Sequence, residues 1–335
     1  MRPLQIRPVA LVTATWSILQ LATPGSLSAQ AWLPGKGWGN VSIAYKNFYV
    51  RDHLDVWGNS ENRGQIRTHA MSLDLDYGIT RRLAVNVGVP LSTLKYTGNF
   101  PHKDPEQLRY LDDGTYHGGF QDFRFGLRYA LVRYSPVVIT PFVDGIVPSH
   151  NYESHAHSAL GRDLGELLIG TNLGWQGGEN SFLSRLYTQT RISYGFVERV
   201  LGRSHNRTNI DSELGFFPTS RLTLSGLASF QKHHGNPLDT DFSLGPEQWT
   251  HEEEHAHMGL LRSDLLDVGA GIAFRVNAKS SVYATALHTV WGKNGHPLQA
   301  GFIFGVNFRF GTRRRNVTAD DTLSLETIRA LQERQ

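Results

Sequence analysis

The chain has 335 residues, with 33 Lys and Arg against 30 Asp and Glu and a formal net charge of +3. That even balance gives no dense basic surface of the kind that holds nucleic acid, which excludes nucleic acid as a partner. There is no cysteine, so neither disulfides nor thiolate metal sites can hold the fold together.

Residues 1–31 read as a secretory signal peptide. Arg2 and Arg7 form a basic start, Val9 to Ala22 an apolar stretch, and Thr23 to Ala31 a small, polar end. Cleavage after Ala29 or after Ala31 suits a signal peptidase. The apolar stretch is shorter than the ~20 residues a spanning helix needs. No later run approaches that length, which excludes a helical membrane protein.

The rest of the chain alternates. Trp38 to Tyr49 gives a first, weakly alternating strand. From Met71 the pattern is strict: Met71, Leu73, Leu75 and Tyr77 are apolar, and Ser72, Asp74 and Asp76 between them are polar. Such a period of two predicts a strand with one wet face. Leu83 to Leu91, Phe123 to Leu131, Leu266 to Phe274 and Phe302 to Phe310 repeat it. Weaker runs lie at Val137 to Val147, Leu167 to Trp175, Leu186 to Phe196, Ile210 to Phe216, Leu222 to Phe230 and Val282 to Trp291. Together they predict about twelve strands of roughly 9–11 residues, the dimensions of an all-β transmembrane antiparallel barrel with lipid outside and polar groups inside.

The connections alternate too. Gly78 to Arg82, Arg133 to Pro136, Gln176 to Asn180, Pro218 to Arg221 and Asn277 to Ser280 are tight links. Between them fall His53 to Gly64, Ser92 to Gly119, Ser149 to Leu164, Val197 to Thr208, Lys232 to Leu260 and Gly292 to Leu298, mostly longer and polar. Outer-membrane barrels have short periplasmic turns and long outer loops, so both termini are expected in the periplasm. Trp38, Tyr77, Tyr129, Trp175, Tyr194, Trp291 and Phe310 sit at strand ends, where aromatic girdles meet the lipid headgroups. The organisation expected is a signal peptide at 1–31, a barrel at 32–310 and a periplasmic tail at 311–335. In the tail, Leu323, Leu325, Ile328 and Leu331 outline a short amphipathic helix.

The stretches YGITRRLAVNVGVP (77–90), GFQDFRFGLRYAL (119–131) and ITPFVDGIVPSHNYESHAHSALGRDLGELLIG (139–170) resemble the bacterial outer-membrane family of meta-pathway phenol-degradation transporters. The resemblance spans about Gly39 to Phe310. It implies an outer-membrane channel for small, aromatic or hydrophobic molecules, with outer-membrane lipids and a small solute as partners. The closing GVNFRF (305–310) is similar to the C-terminal signal read by the outer-membrane assembly machinery.

Three constellations carry chemistry. His251-Glu252-Glu253-Glu254-His255 spells the zinc-protease signature, which requires a helix presenting both histidines on one face. Here it lies in the longest loop, so a protease is not expected. His251, His255 and His257, with His150, His155 and His157 of another loop, are candidate ligands for Zn, Cu or Ni, and a metal-binding outer-membrane protein is the alternative reading. The polar phase of the strands points Asp74, Asp76, Asp122, Arg124, Arg128, Glu166, Arg191, Asp211, Glu213, Asp267, Arg275 and Arg309 into the lumen, either to pair with one another or to line a pore. No resident cofactor is called for. A hydrolase is the remote alternative, because neither His-x-Ser nor Ser-x-His occurs.

Overall fold

The computed structural model describes residues 30–98, 111–134, 136–154, 156–178, 182–244, 249–250, 252–253 and 259–311. The alternating runs form strands, in chain order β1 (Trp38–Leu54), β2 (Ser60–Gly78), β3 (Leu83–Thr97) and a broken β4 made of His117–Phe120, Phe123–Tyr129 and Val132–Tyr134. There follow β5 (Val137–Val147), β6 (Glu166–Gln176), β7 (Leu186–Val197), β8 (Arg207–Phe216), β9 (Leu222–His233), β10 (Asp264–Arg275), β11 (Ser280–Lys293) and β12 (Leu298–Gly311). Each pairs antiparallel with its sequence neighbours, and β1 pairs with β12 from Trp38 opposite Gly311 to Val50 opposite Leu298. The sheet is therefore a closed barrel of twelve strands, and closure leaves no strand edge unpaired.

The two faces divide as the alternation predicts. Met71, Leu73, Val87, Leu91, Phe125, Leu127, Ile272, Phe274, Phe302 and Phe304 point outward and are each 42–51% exposed. An apolar belt of that extent is stable only against hydrocarbon. At the short-turn end Tyr77 stacks on Phe310, 6.2 Å between ring centroids, and at the other end Trp291 lies beside Phe230 at 6.3 Å. Trp38 departs from the expected girdle. It shares the inner face with Asn40, and the Arg309 guanidinium lies over its ring at 4.7 Å.

The unbroken strands run from 10 residues in β8 to 19 in β2; β5, β6 and β8 have the predicted length and the others exceed it. Above the lipid a ladder no longer needs apolar side chains, so β1 and β2 go on pairing as far as Leu54 opposite Ser60. The loop expected from His53 to Gly64 thereby shrinks to residues 55–59, past a bulge at Asp52 with φ 67°. Residues 294–297 are similarly tight. The link after β6 is longer than expected, because a 3₁₀ turn at Phe182–Arg185 precedes β7. Two tight turns share one device: Thr80 Oγ1 accepts the N–H groups of Arg82 and Leu83, and Thr219 Oγ1 those of Arg221 and Leu222. Of the expected signal peptide at 1–31, residues 1–29 lie outside the described residues, while Gln30 and Ala31 are described; of the expected tail at 311–335, all but Gly311 lies outside them.

Candidate functional site: the barrel lumen

The inward positions of the strands enclose a cavity of about 240 Å³ from mid-barrel towards the short turns. Of the charges assigned to the lumen, Asp74, Asp76, Arg124, Arg128, Arg191, Asp211 and Glu213 line it. They line it mostly bonded to one another or to neighbours. Arg128 donates to Asp76, and Arg191 to Asp144, while the Arg191 guanidinium lies 3.5 Å over the Phe142 ring. Glu213 accepts from Tyr187 at 2.5 Å and Gln189 at 2.6 Å, and Asp211 from Ser229 at 2.7 Å. Pairing of this kind is what makes ionised groups tolerable inside a narrow wall.

The five other assigned charges lie away from the cavity. Glu166 sits between Arg207 and Arg162, with side-chain exposures of 1–3% across the three. Asp267 accepts from Thr289. Arg275 caps Ser220 O at the short-turn rim, where Arg309 also lies. Asp122, in the break of β4, accepts from the Tyr152 hydroxyl, which in turn accepts the Asp163 N–H at 2.9 Å. Lys46, Asp144, Arg162, Arg207 and Tyr152 were not foreseen. Arg162, Arg207 and Tyr152 fall in segments that read as loops, and Lys46 and Asp144 lie in weakly alternating runs.

The cavity has a floor and a roof. At the short-turn end the chain ahead of β1 enters the lumen. Ala31 is fully buried, Thr140 Oγ1 donates to its carbonyl at 2.6 Å, and its N–H donates to Gln189 Oε1 at 3.3 Å. Arg128 bonds the Gln30 carbonyl, and Gln30 lines the cavity. At the other end Leu227 and Leu287 line the cavity and belong to an apolar cluster that fills the barrel. The wall contributes Phe48, Ile66, Leu94, Tyr96 and Ile303, and the loops contribute Ala159, Leu164, Val200, Leu238, Leu260 and Leu261.

One carboxylate latches the first of these loops. Asp112 accepts from the backbone N–H groups of His157 and Ser158, both at 2.9 Å, from Ser158 Oγ at 2.8 Å, and lies 3.1 Å from His157 Nδ1. Burial pushes this carboxyl up, but the bonds from His157 and Ser158 outweigh it and hold it below the usual carboxylate range. Further along the same loop, burial and then Asp122 raise Asp163 to about 6. Burial lowers Arg162 to about 10 and, in the next loop, His205 to about 3.

The candidate metal ligands do not form one described site. His155, His251, His255 and His257 lie outside the described residues. His150 is exposed, with Nδ1 2.8 Å from Ser149 Oγ, whereas His157 is buried against Asp112 and stacks on Tyr96 at 4.5 Å. Among the described residues no group of three or more His, Asp or Glu is placed to hold a metal ion. Within the protease-like motif, Glu253 is used structurally: its carboxylate accepts the Thr250 N–H at 3.0 Å, Thr250 Oγ1 accepts the Glu253 N–H at 3.2 Å, and Arg203 pairs with it. That reciprocal pair is a helix-capping box.

No protein-family model matches the chain, and no curated protein matches it by sequence. Its structure is similar to that of the COG4313 outer membrane channel from Pseudomonas putida F1, with a TM-score of 0.60 at 12% identity, over 83% of this chain and 97% of that one. The chain has the fold of an outer-membrane β-barrel. The NanC porin, at TM-score 0.47 and 9% identity, covers 80% of this chain and 98% of its own. The NalP translocator domain from Neisseria meningitidis, at 0.47 and 10%, covers 83% and 90%. In outer-membrane barrels the short turns face the periplasm and the long loops the outside; in that orientation the segment with Gln30 and Ala31 enters the lumen from the periplasmic end.

Proposed function

We propose that the protein is a passive channel carrying small molecules across the outer membrane through the lumen. The observation that carries this reading is the mid-barrel cavity, lined by paired charges and bounded by two coverings that include segments outside the barrel wall. The floor is an N-terminal segment held by a few hydrogen bonds, and the roof is made by loop leucines packed on apolar side chains of the wall. Side chains alone fill a barrel of about eight strands, whereas twelve strands leave room for a space of this kind.

The lining suggests the solute. Guanidinium and carboxylate groups are interleaved around the wall with Ile146, Leu168, Leu227 and Leu287, Arg124 lying opposite Ile146, Asp144 opposite Leu168 and Glu213 opposite Leu227. Such a wall suits a small amphipathic solute with an aromatic or aliphatic body and one or two polar groups, in keeping with the sequence resemblance to phenol-degradation transporters. Planar-bilayer recording and liposome swelling with small aromatic acids, phenols and sugars of matched size test this. Swelling that favours the aromatic solutes is expected. Barrels that fold and insert but admit no solute and carry no current would refute the channel reading.

A further inference from the structure

The outer wall of β1–β3 carries two cations that no described residue neutralises. Arg67 on β2 is directly opposite Lys95 on β3, and both share the outward face with Met71, Leu73 and Leu91. Like charges directly opposed across a ladder destabilise it. Neither forms a salt bridge with any described residue. Nearby Arg51 and Arg63, by contrast, each have a carboxylate, Asp52 at 3.3 Å and Glu61 at 2.7 Å.

The pair is held in place by aromatic and amide groups. The Arg67 guanidinium lies 4.3 Å over the Tyr49 ring and donates to Asn47 Oδ1 at 3.2 Å, and Lys95 Nζ lies 5.6 Å over Tyr116. His69 bridges the patch, 2.7 Å from the Tyr45 hydroxyl and 3.2 Å from that of Tyr116. Arg67 and Lys95 are each four residues beyond the last exposed apolar residue on their strand, Met71 and Leu91. At about 3.4 Å per residue, and with the strands tilted, that is roughly 10 Å above the edge of the apolar belt. This is the headgroup level of the outer leaflet, where tyrosines also gather.

We propose that Arg67 and Lys95 form a binding site for the phosphate of a phosphorylated glycolipid of the outer leaflet, with Tyr45, Tyr49 and Tyr116 flanking the sugar. A bound phosphate removes the repulsion between the two cations, and the lipid's acyl chains continue down the apolar stripe of the same strands. Arginine supplies planar paired donors and lysine a compact charge, the usual combination at phosphate sites.

The test is retention of a bis-phosphorylated diglucosamine lipid by the folded barrel in mixed micelles, read by native mass spectrometry and by the unfolding temperature. Its dephosphorylated counterpart and inorganic phosphate are the controls. A cation near an anionic leaflet contributes roughly fivefold in affinity, so R67Q/K95Q should retain the phosphorylated lipid about 30-fold less well. K95E, which puts a carboxylate opposite Arg67, should unfold at the same or a higher temperature than the unchanged protein in plain detergent, yet gain nothing from the lipid. Three results would overturn the site: equal retention of the dephosphorylated lipid, undiminished retention by R67Q/K95Q, or the same stabilisation by inorganic phosphate alone.

Discussion

The two halves of the lumen are built on different physics. Towards the periplasm the inner face is polar, its charges are paired within the wall, and a cavity remains. Towards the outside the same barrel is filled by an apolar cluster to which the loops contribute Leu164, Leu238, Leu260 and Leu261, much as a soluble protein fills its core. An ion-paired wall keeps its shape because every charge needs its partner. An apolar fill delivered by loops can withdraw, since loops are the least firmly held part of a barrel. The difference assigns permanence to the inner half and movement to the outer half.

The largest expected effect breaks the ion-paired anchor that fixes loop residue Arg162 to the wall at the outer end. Glu166→Ala leaves Arg162 and Arg207 buried without their shared carboxylate, and should cost about 3–5 kcal/mol of barrel stability, read from urea unfolding in lipid vesicles. Next comes the movable half. Asp112→Ala strands the His157 and Ser158 N–H groups, at about 1–3 kcal/mol each, which should detach that loop while the barrel stays folded. Amide exchange over 156–164 should rise sharply and exchange in β7–β10 should not. If exchange rises equally in both regions, the two halves are not separate.

A smaller effect concerns pH. Asp163, raised to about 6 in the folded loop, binds more protons folded than unfolded between its ordinary value of 3.8 and about 6. Stability therefore falls as pH rises through that window and stays lower above it. Asp163→Asn should remove this dependence and slow loop exchange slightly at neutral pH. Asp112 has the opposite sign. Its carboxyl is depressed, so the latch contributes stability above its unfolded value of 3.8 and loses it only as pH falls below that. Mild acid should tighten the loop at Asp163 without releasing it at Asp112, which loop exchange measured from pH 7 to pH 5 will show.

The barrel was legible in the sequence because lipid on one side and water on the other enforce a period of two. Phe302, Phe304, Val306, Phe308 and Phe310 could face only one way. The inward charges of β2, β4, β7 and β8 followed from the same period. β1 was harder, since Ala44, Phe48 and Val50 on its inner face are as apolar as Ile43 and Tyr45 on its outer face. The roof was not legible at all. A loop has no period, so nothing in AHSALGRDL (156–164) marks Ala159 and Leu164 as buried in the lumen. The one available hint is that leucines recur in otherwise polar loops. The floor was hidden differently: Gln30 and Ala31 read as the end of a signal peptide, and only their bonds to Arg128, Thr140 and Gln189 place them in the lumen.

The central claim is that the lumen is a passage covered at both ends. Single-channel recording on a variant that lacks Gln30–Trp32 and carries Asp112→Ala tests it most directly. The unchanged protein should show small, infrequent openings, each alteration alone a partial increase, and the two together a steady conductance several times larger. A combined variant that folds and inserts but conducts no better than the unchanged protein would contradict it.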